Sequence, residues 1–404
     1  MSTSFLYHTL GIYGYNYVHQ KFENGNYILK ISPKYNLMVC PNCNSKDIIR
    51  RGVTIRRLRT IPIGEKPVIL LVEIPRIQCT KCNCIRQINI GIADPKKTYT
   101  RRLARYIITL SKMTTLTDIS KLLGIGWDCI KEIVKSNLEK RYTNPSLKNL
   151  THIAIDEISI RKSHKYLTIV MDLKSGKVVF VGDGKGSEAL EPFWERLKHS
   201  GAKLEAVSTD LSPAYISSVI THLSGKCLVF DHFHIVKLMN DALADIRRGL
   251  YNELNNTMGK RVLKGTRWIL LKNPENLSSE HNEAEKLQEA LRLNAPLATA
   301  YYMKEDLRQF WNQQDKGTAS IIIDSWINRA LTSGIRALQK VARTIAAHKS
   351  GILNWYDHPI TSGKIEGTNN KIKVLKRIAY GYRDKEFFKF RIMAIHETKY
   401  GLTG

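Results

Sequence analysis

No run of eighteen or more apolar residues occurs in this chain, so no transmembrane helix is expected. The opening stretch, MSTSFLYHTLGIYGYNY, has neither a positively charged n-region nor a clean apolar core, which argues against a secretory signal. Cysteine is sparse. Seven in 404 residues cannot build a disulfide framework, and five of the seven fall between Cys40 and Cys84, a clustering that suits a metal in a reducing compartment. Internal repeats and low-complexity tracts are absent. Acid is short as well: 36 Asp and Glu face 63 Lys and Arg, a formal net charge of +27 spread along the chain. Such a surplus destabilises a compact fold by self-repulsion and suits a polyanionic partner, although a merely basic protein is the plainer alternative. Cytoplasm or nucleoid is the expected location, with no membrane partner.

What is present supports a globular reading. The hydrophobic fraction is 43%, enough for a sizeable core, and the length suits two to four domains. Residues 1–35 are Tyr-rich and mixed, with little pattern. VILLVEI (68–74) reads as a strand, and ADPKKTYT (93–100) as a linker into a helical segment near 100–142. After the polar link 143–150, THIAIDEISI, KYLTIVMDL and KVVFVGDG are three strand-like runs. A helix near 187–199, LEAVSTD (204–210), a helix near 213–223 and KCLVFD (226–231) follow. That β-β-β-α-β-α-β order predicts an α/β layer fold. Residues 235–350 read as helix almost throughout, and 360–398 as helical and strongly basic.

Four constellations carry chemistry. Cys40-Pro-Asn-Cys43 and Cys79-Thr-Lys-Cys82 are paired CxxC knuckles, each placing two thiolates within reach of one tetrahedral Zn²⁺. Cys84 is an extra thiol, either an alternative to Cys82 or unrelated. Between the pairs, Arg50, Arg51, Arg56, Arg57 and Arg59 form a run that is either a solvated face or a set of phosphate contacts. Residues 117–134 place Ile119, Leu122 and Leu123 on one helix face, a break at Gly124, and Ile130, Ile133 and Val134 on a second. This is a helix-turn-helix pattern that would put Lys131 at DNA, though helix–glycine–helix pairs also occur in plain bundles. Asp156 interrupts an apolar run and Asp210 ends another; carboxylates at adjacent strand ends can share divalent ions, but Asp there also serves as a turn residue or cap. Last, Glu366, Asn369, Asn370 and Lys373 fall on one helical face, a grouping suited to metal plus phosphate or simply to solvent.

These motifs, together with AIDEISIRKSHKYLTIVMDLKSGKVV, VSTDLSPAYISSV, FDHFHIVKLMNDAL and HPITSGKIEGTNNKIKVLKRIAYGY, resemble bacterial insertion-sequence transposases of the DDE type, most closely the ISL-three family, from about Cys40 to Arg391. The resemblance implies an RNase H-like catalytic core interrupted by a helical insertion. Before it would lie an N-terminal zinc-binding domain (1–92) and a helix-turn-helix domain (93–147). The core would be split into 148–245 and 350–404 around an insertion at 246–349. It implies Asp156, Asp210 and Glu366 as the triad holding Mg²⁺ or Mn²⁺, with Glu157 and Asp231 next in line, and structural Zn²⁺ on Cys40, Cys43, Cys79 and Cys82. Lys373 matches the basic residue that often follows the glutamate, and Asp231-His232-Phe233-His234 resembles an acid-x-x-His signature. Expected partners are transposon-end and target DNA, met by Arg50, Arg51, Arg56, Arg57, Lys131, Asn370 and Lys373, with the chain acting as a homodimer or higher oligomer. Trp268, Trp311 and Trp326 in the insertion are either core or base-stacking residues. The rivals are a zinc-ribbon and helix-turn-helix transcription regulator without catalysis, and a nuclease that cuts branched DNA without joining it.

Overall fold

The structure is a computed structural model and describes residues 3–161, 165–223, 228–253, 257–361 and 363–398. Two compact units are present: the chain up to Asn144 together with the segment from Leu375 onward, and Pro145–Val374.

In the first unit, α1 (Thr3–Leu10) precedes β1 (Tyr15–Glu23), β2 (Asn26–Pro33), β3 (Ile48–Ile63), β4 (Lys66–Cys79) and β5 (Ile85–Gln87). They form one sheet in the order β1-β2-β4-β3, with β5 also paired to β4. Residues 1–35, where the sequence shows little pattern, supply a helix and two of these strands. The arginine run lies within β3, where Ile, Val and Thr alternate with Arg and favour extended chain. Gly64, at φ +58°, closes the turn into β4, which pairs with β3 from Ile63↔Lys66 to Ile48↔Cys79. Val68, Leu70 and Val72 of β4 pack with Leu6, Leu10, Leu29, Ile31 and Leu58 into one core.

Three helices follow: α2 (Arg101–Leu110), α3 (Leu116–Leu123) and α4 (Trp127–Tyr142). Thr115 and Asp118 form a capping box at the start of α3, and Gly124, left-handed at φ +59°, ends it. Leu103, Ile107, Ile119, Leu123, Ile130 and Val134 make a second core that also takes in Phe387.

The second unit opens with β6 (His152–Arg161), β7 (Lys165–Asp172) and β8 (Val178–Asp183), then α5 (Glu191–Lys198), β9 (Ala206–Thr209), α6 (Pro213–His222) and β10 (Leu228–Phe230). The strand and helix order read from the sequence is the order observed. The sheet runs β10-β9-β6-β7-β8, with β6, β7 and β8 antiparallel neighbours and β9 and β10 parallel to β6. The protein is thus a mixed α/β fold with two sheets.

Among the described residues eight helices come next: α7 (His232–Glu253), α8 (Thr257–Leu263), α9 (Thr266–Leu271), α10 (Glu283–Leu293), α11 (Ala295–Gln309), α12 (Lys316–Thr332), α13 (Arg336–Ala347) and α14 (Lys349–Leu353). One continuous core joins them to the face of the sheet that carries Ile153, Ile155 and Val207. The opposite face, with Ala154, Ala206 and Val229, is covered by Ile360 and by Ile365 of α15 (Gly363–Ile378). The last helix, α16 (Lys385–Met393), belongs to the first unit. Among the described residues no helix is long and apolar enough to cross a membrane.

Asp384 caps α16 by accepting the Phe387 N–H at 3.0 Å, and it also meets Lys131 at 3.0 Å and Lys135 at 2.8 Å from α4. Burial alone would raise its carboxyl, but these donors hold it well below the usual carboxylate range. Asp384→Ala removes a cap and strands two cations, so urea unfolding should show a loss of about 2 kcal/mol at neutral pH. An unchanged midpoint would mean that α16 does not depend on this contact.

Candidate active site and metal centre

The register of β3 on β4 explains how two knuckles far apart in sequence meet: Ile48 lies beside Cys79, so the turn holding Cys40 and Cys43 faces the turn holding Cys79 and Cys82. The four sulfurs all lie within 4.8 Å of one another, with Cys43 3.5 Å from Cys79 and Cys40 3.6 Å from Cys82. Tetrahedral Zn–S bonds of about 2.3 Å put sulfurs about 3.8 Å apart, so the set fits zinc. Cys84 is drawn in too, 3.3 Å from Cys40. Among the described residues, no other three His, Cys, Asp or Glu ligand atoms gather so closely.

The second site lies at the ends of parallel strands. Ile155 pairs with Thr209, and Thr209 with Phe230. Asp156, Asp210 and Asp231 are each the next residue, so three carboxylates stand in a row across β6, β9 and β10. The sequence signals Asp156 and Asp210; the place of Asp231 in the row is set by strand register, which no local pattern displays.

Helix α15 reaches this row because its pitch matches the strand. Two residues of β6 advance about 6.6 Å and four residues of α15 about 6 Å, so Ile365 packs at Ala154 and Asn369 arrives at Asp156. The Asn369 amide donates from Nδ2 to Asp156 Oδ2 at 2.7 Å, and Lys364 pins the helix by donating to the Leu173 carbonyl at 2.7 Å. Glu366 sits three positions before Asn369 on the same stripe, exposed in the first turn. Asn369 is the contact residue that the sequence places on this face without singling it out as a site residue.

The electrostatics of the row are strained. Burial pushes the Asp156 carboxyl up to about 7, and the charges of Glu157 and Asp210 add to the rise. Glu157 is raised as well, first by burial and then by Asp210, with Lys185 and Lys237 opposing. Asn369 Oδ1 is buried without a hydrogen-bond partner among the described residues. Crowded carboxylates beside an unsatisfied acceptor oxygen fit a hard divalent cation. Asp231, itself buried, has its carbonyl bonded by the His234 N–H at 3.1 Å.

The basic residues sort by what holds them. Arg56 donates to the Asp94 carbonyl at 2.7 Å and to that of Lys97, and Lys131 is tied to Asp384, so both guard internal contacts. Arg50 reaches Met38 Sδ and Arg51 reaches Gln78, yet both remain exposed, as do Arg57, Asn370 and Lys373. Among the tryptophans, Trp326 is core: it is 1% exposed and donates to the Met303 carbonyl. Trp311 packs against His232 and Trp355. Trp268 is 65% exposed, with the Arg267 guanidinium over its ring.

Comparison with known proteins decides the family. The ISL3-type DDE model, described as "Transposase", matches residues 153–392, a stretch containing Asp156, Asp210, Glu366 and Asn369. The chain belongs to the ISL3 transposase family. A second model, the zinc-finger of the IS204/IS1001/IS1096/IS1165 transposases, matches residues 36–82 of this transposase and ends before Cys84. The transposase is 31% identical over 367 residues to the transposase of insertion sequence element IS1001 from Bordetella parapertussis, covering 90% of each chain. It is 28% identical over 394 residues to that of IS1557 from Mycobacterium tuberculosis, covering 90% of this chain and 87% of the relative. Among solved structures, the Drosophila P element transposase strand transfer complex aligns with TM-score 0.37 and 14% identity over 66% of this chain and 81% of that one. The four-cysteine set and the zinc-ribbon match together support structural zinc.

Two outcomes follow. Purified transposase should carry about one zinc per chain, and Cys40→Ser or Cys79→Ser should lose it and unfold the segment around the two knuckles; zinc-free protein by metal analysis would refute this. The raised Asp156 carboxyl contributes stability that is fully present below the ordinary Asp range and is lost as pH rises through about 7. With no Mg²⁺ added, Asp156→Asn should therefore gain about 1–2 kcal/mol over wild type at pH 8, shrinking toward pH 5. A gain no larger at pH 8 than at pH 5 in thermal melts would count against the crowding.

Proposed function

We propose that this DNA transposase binds the ends of its own insertion sequence, nicks them to a free 3′-hydroxyl and joins that hydroxyl to target DNA. The observation that carries the reading is the Asn369–Asp156 contact, which brings the helix of Glu366 to the strand ends of Asp156 and Asp210. Asp156, Asp210 and Glu366 would hold Mg²⁺ or Mn²⁺. Two such ions, when bound, supply the charge neutralisation and oxygen activation that phosphoryl transfer needs. The chain's part is to place the carboxylates, to keep water-facing Glu366 on a helix fixed by Lys364 and Ile365, and to orient Asp156 through the Asn369 amide.

The three antiparallel strands followed by two parallel ones support an RNase H-like core, with 148–245 and 350–404 around an insertion at 246–349. The zinc-binding domain (1–92) and the α3–α4 pair, a helix-turn-helix within 93–147, would read the element end. Exposed Arg50, Arg51, Arg57, Asn370 and Lys373 are the proposed DNA contacts; Arg56 and Lys131 would act by holding those elements in place. The enzyme would work at the nucleoid as a dimer or larger assembly on DNA.

Asp156→Ala, Asp210→Ala and Glu366→Ala should each abolish nicking and joining while DNA-end binding persists, and a double variant should be little worse than a single one. Glu366→Gln is the sharper probe, since it keeps size and removes only charge. Near-normal cleavage by Glu366→Gln beside an inactive Asp156→Ala would remove Glu366 from the site. Binding without any cleavage of element ends by the wild type in Mg²⁺ would favour a regulator.

A further inference from the structure

A cavity of about 510 Å³ opens in the first unit, floored by Leu10 and Ile12 and walled by Arg101, Arg102 and Arg105 of α2. The floor is rigid, because Leu10 and Ile12 are core residues, 1% and 3% exposed. The three arginines differ in what they do. Arg101 is fixed as part of the wall: it meets Asp94 Oδ1 at 2.7–2.8 Å and donates to the Gly91 carbonyl at 3.3 Å. Arg102 and Arg105 are exposed, and their guanidinium groups have no hydrogen bond or ion pair among the described residues. Three positions apart on α2, they present to the same side.

Two further features bear on the place. Gly11, left-handed at φ +63° where α1 closes, leaves room for Arg102 as it lies: a Cβ there would fall 2.6 Å from Arg102 Nη1 and the arginine would have to shift. No acidic residue occupies the first turn of α2, so nothing on the helix offsets the three cations. Asp94 pairs with Arg101 alone, so Arg102 and Arg105 remain like charges without a counterion among the described residues; they oppose folding, and an anion in the cavity would relieve them. The space far exceeds a small inorganic ion and joins a cationic wall to an apolar floor. Guanidinium forks match phosphate oxygens in pairs, and an apolar surface suits the adjoining sugar.

We propose that this cavity binds a sugar–phosphate unit of a DNA strand, with Arg102 and Arg105 gripping the phosphodiester and the deoxyribose lying against Gly91 and half-buried Ile92 of the lining. The site rests on the reading of the chain as a DNA transposase and adds to it a backbone contact outside the zinc knuckles and the α3–α4 pair. A free nucleotide or polyphosphate shares the phosphate chemistry, and the test separates the two sources.

Full-length, zinc-loaded protein is titrated with a duplex carrying the element end over a range of salt concentrations, with and without inorganic tripolyphosphate. Each phosphate left unneutralised lowers the slope of log affinity against log salt by about 0.9, so Arg102→Ala/Arg105→Ala, which frees one phosphodiester, should flatten it by about 0.9 and weaken binding. Arg102→Lys/Arg105→Lys should keep the slope but lose affinity several-fold, because lysine keeps the charge without the fork. A double-alanine protein that melts like wild type and shows unchanged affinity and slope would overturn the site. Loss of tripolyphosphate competition with an unchanged DNA slope would overturn the DNA assignment in favour of a free-phosphate site. Wild-type protein whose DNA affinity ignores salt would bring down the parent reading, and this site with it.

Discussion

Three carboxylates stand side by side where β6, β9 and β10 end, and the second unit is arranged around keeping them there. Parallel pairing leaves no freedom: once Ile155 lies beside Thr209 and Thr209 beside Phe230, Asp156, Asp210 and Asp231 must be neighbours. Water is largely excluded at Asp156, so its carboxyl rises to about 7 and the folded chain carries unrelieved repulsion. A fold tolerates such a cluster only when strong packing holds it. That packing comes from apolar residues on the same strands, Ile155 and Phe230 one position before their aspartates and Val207 three before Asp210, which anchor the sheet to the helical core beneath. A site under this kind of strain is where a fold trades stability for chemistry.

Helix α15 reaches the row through the Asn369–Asp156 contact. Its apolar stripe docks on Ala154 and Leu173 through Ile365, and that docking fixes the height at which Asn369 and Glu366 arrive. The buried Asn369 amide then has a double character: Nδ2 restrains Asp156, and Oδ1 remains an open acceptor. In the first unit a comparable logic holds the cysteines. The long β3–β4 pair spans the distance between knuckles that are separated in sequence, and sheet register, not loop proximity, closes the set.

Much of this was legible in the sequence. The CxxC knuckles, the break at Gly124, and Asp156 inside an apolar run each break a local rule in a way that points to chemistry. The strand and helix order from 151 to 231 was readable because hydrophobic periodicity changes there from helix-like to strand-like. Other features were not. Strands β1 and β2 were hidden because Tyr-rich, mixed segments show little alternation, and the pairing that ties β2 to β4 is long-range. The arginine run read as either a solvated face or a set of phosphate contacts, while β-branched neighbours made it a strand whose Arg56 is spent on backbone carbonyls. Asp231 joined the row through register, and the cavity under Arg102 needs the approach of Gly11, some ninety residues away along the chain. The helical stretch from 235 to 350 was seen as helix, but which of its tryptophans is core could be decided only by packing.

The central claim is that Asp156, Asp210 and Glu366 share one cation site although they come from three separate elements. Fe²⁺ in place of Mg²⁺, with ascorbate and peroxide, generates hydroxyl radicals where the metal is bound, and these cut the nearby backbone. The account predicts cuts clustered around Asp156, Asp210 and Glu366, suppressed together by excess Mg²⁺. Cuts near the two aspartates but none near Glu366, or cuts that Mg²⁺ does not suppress, would contradict it.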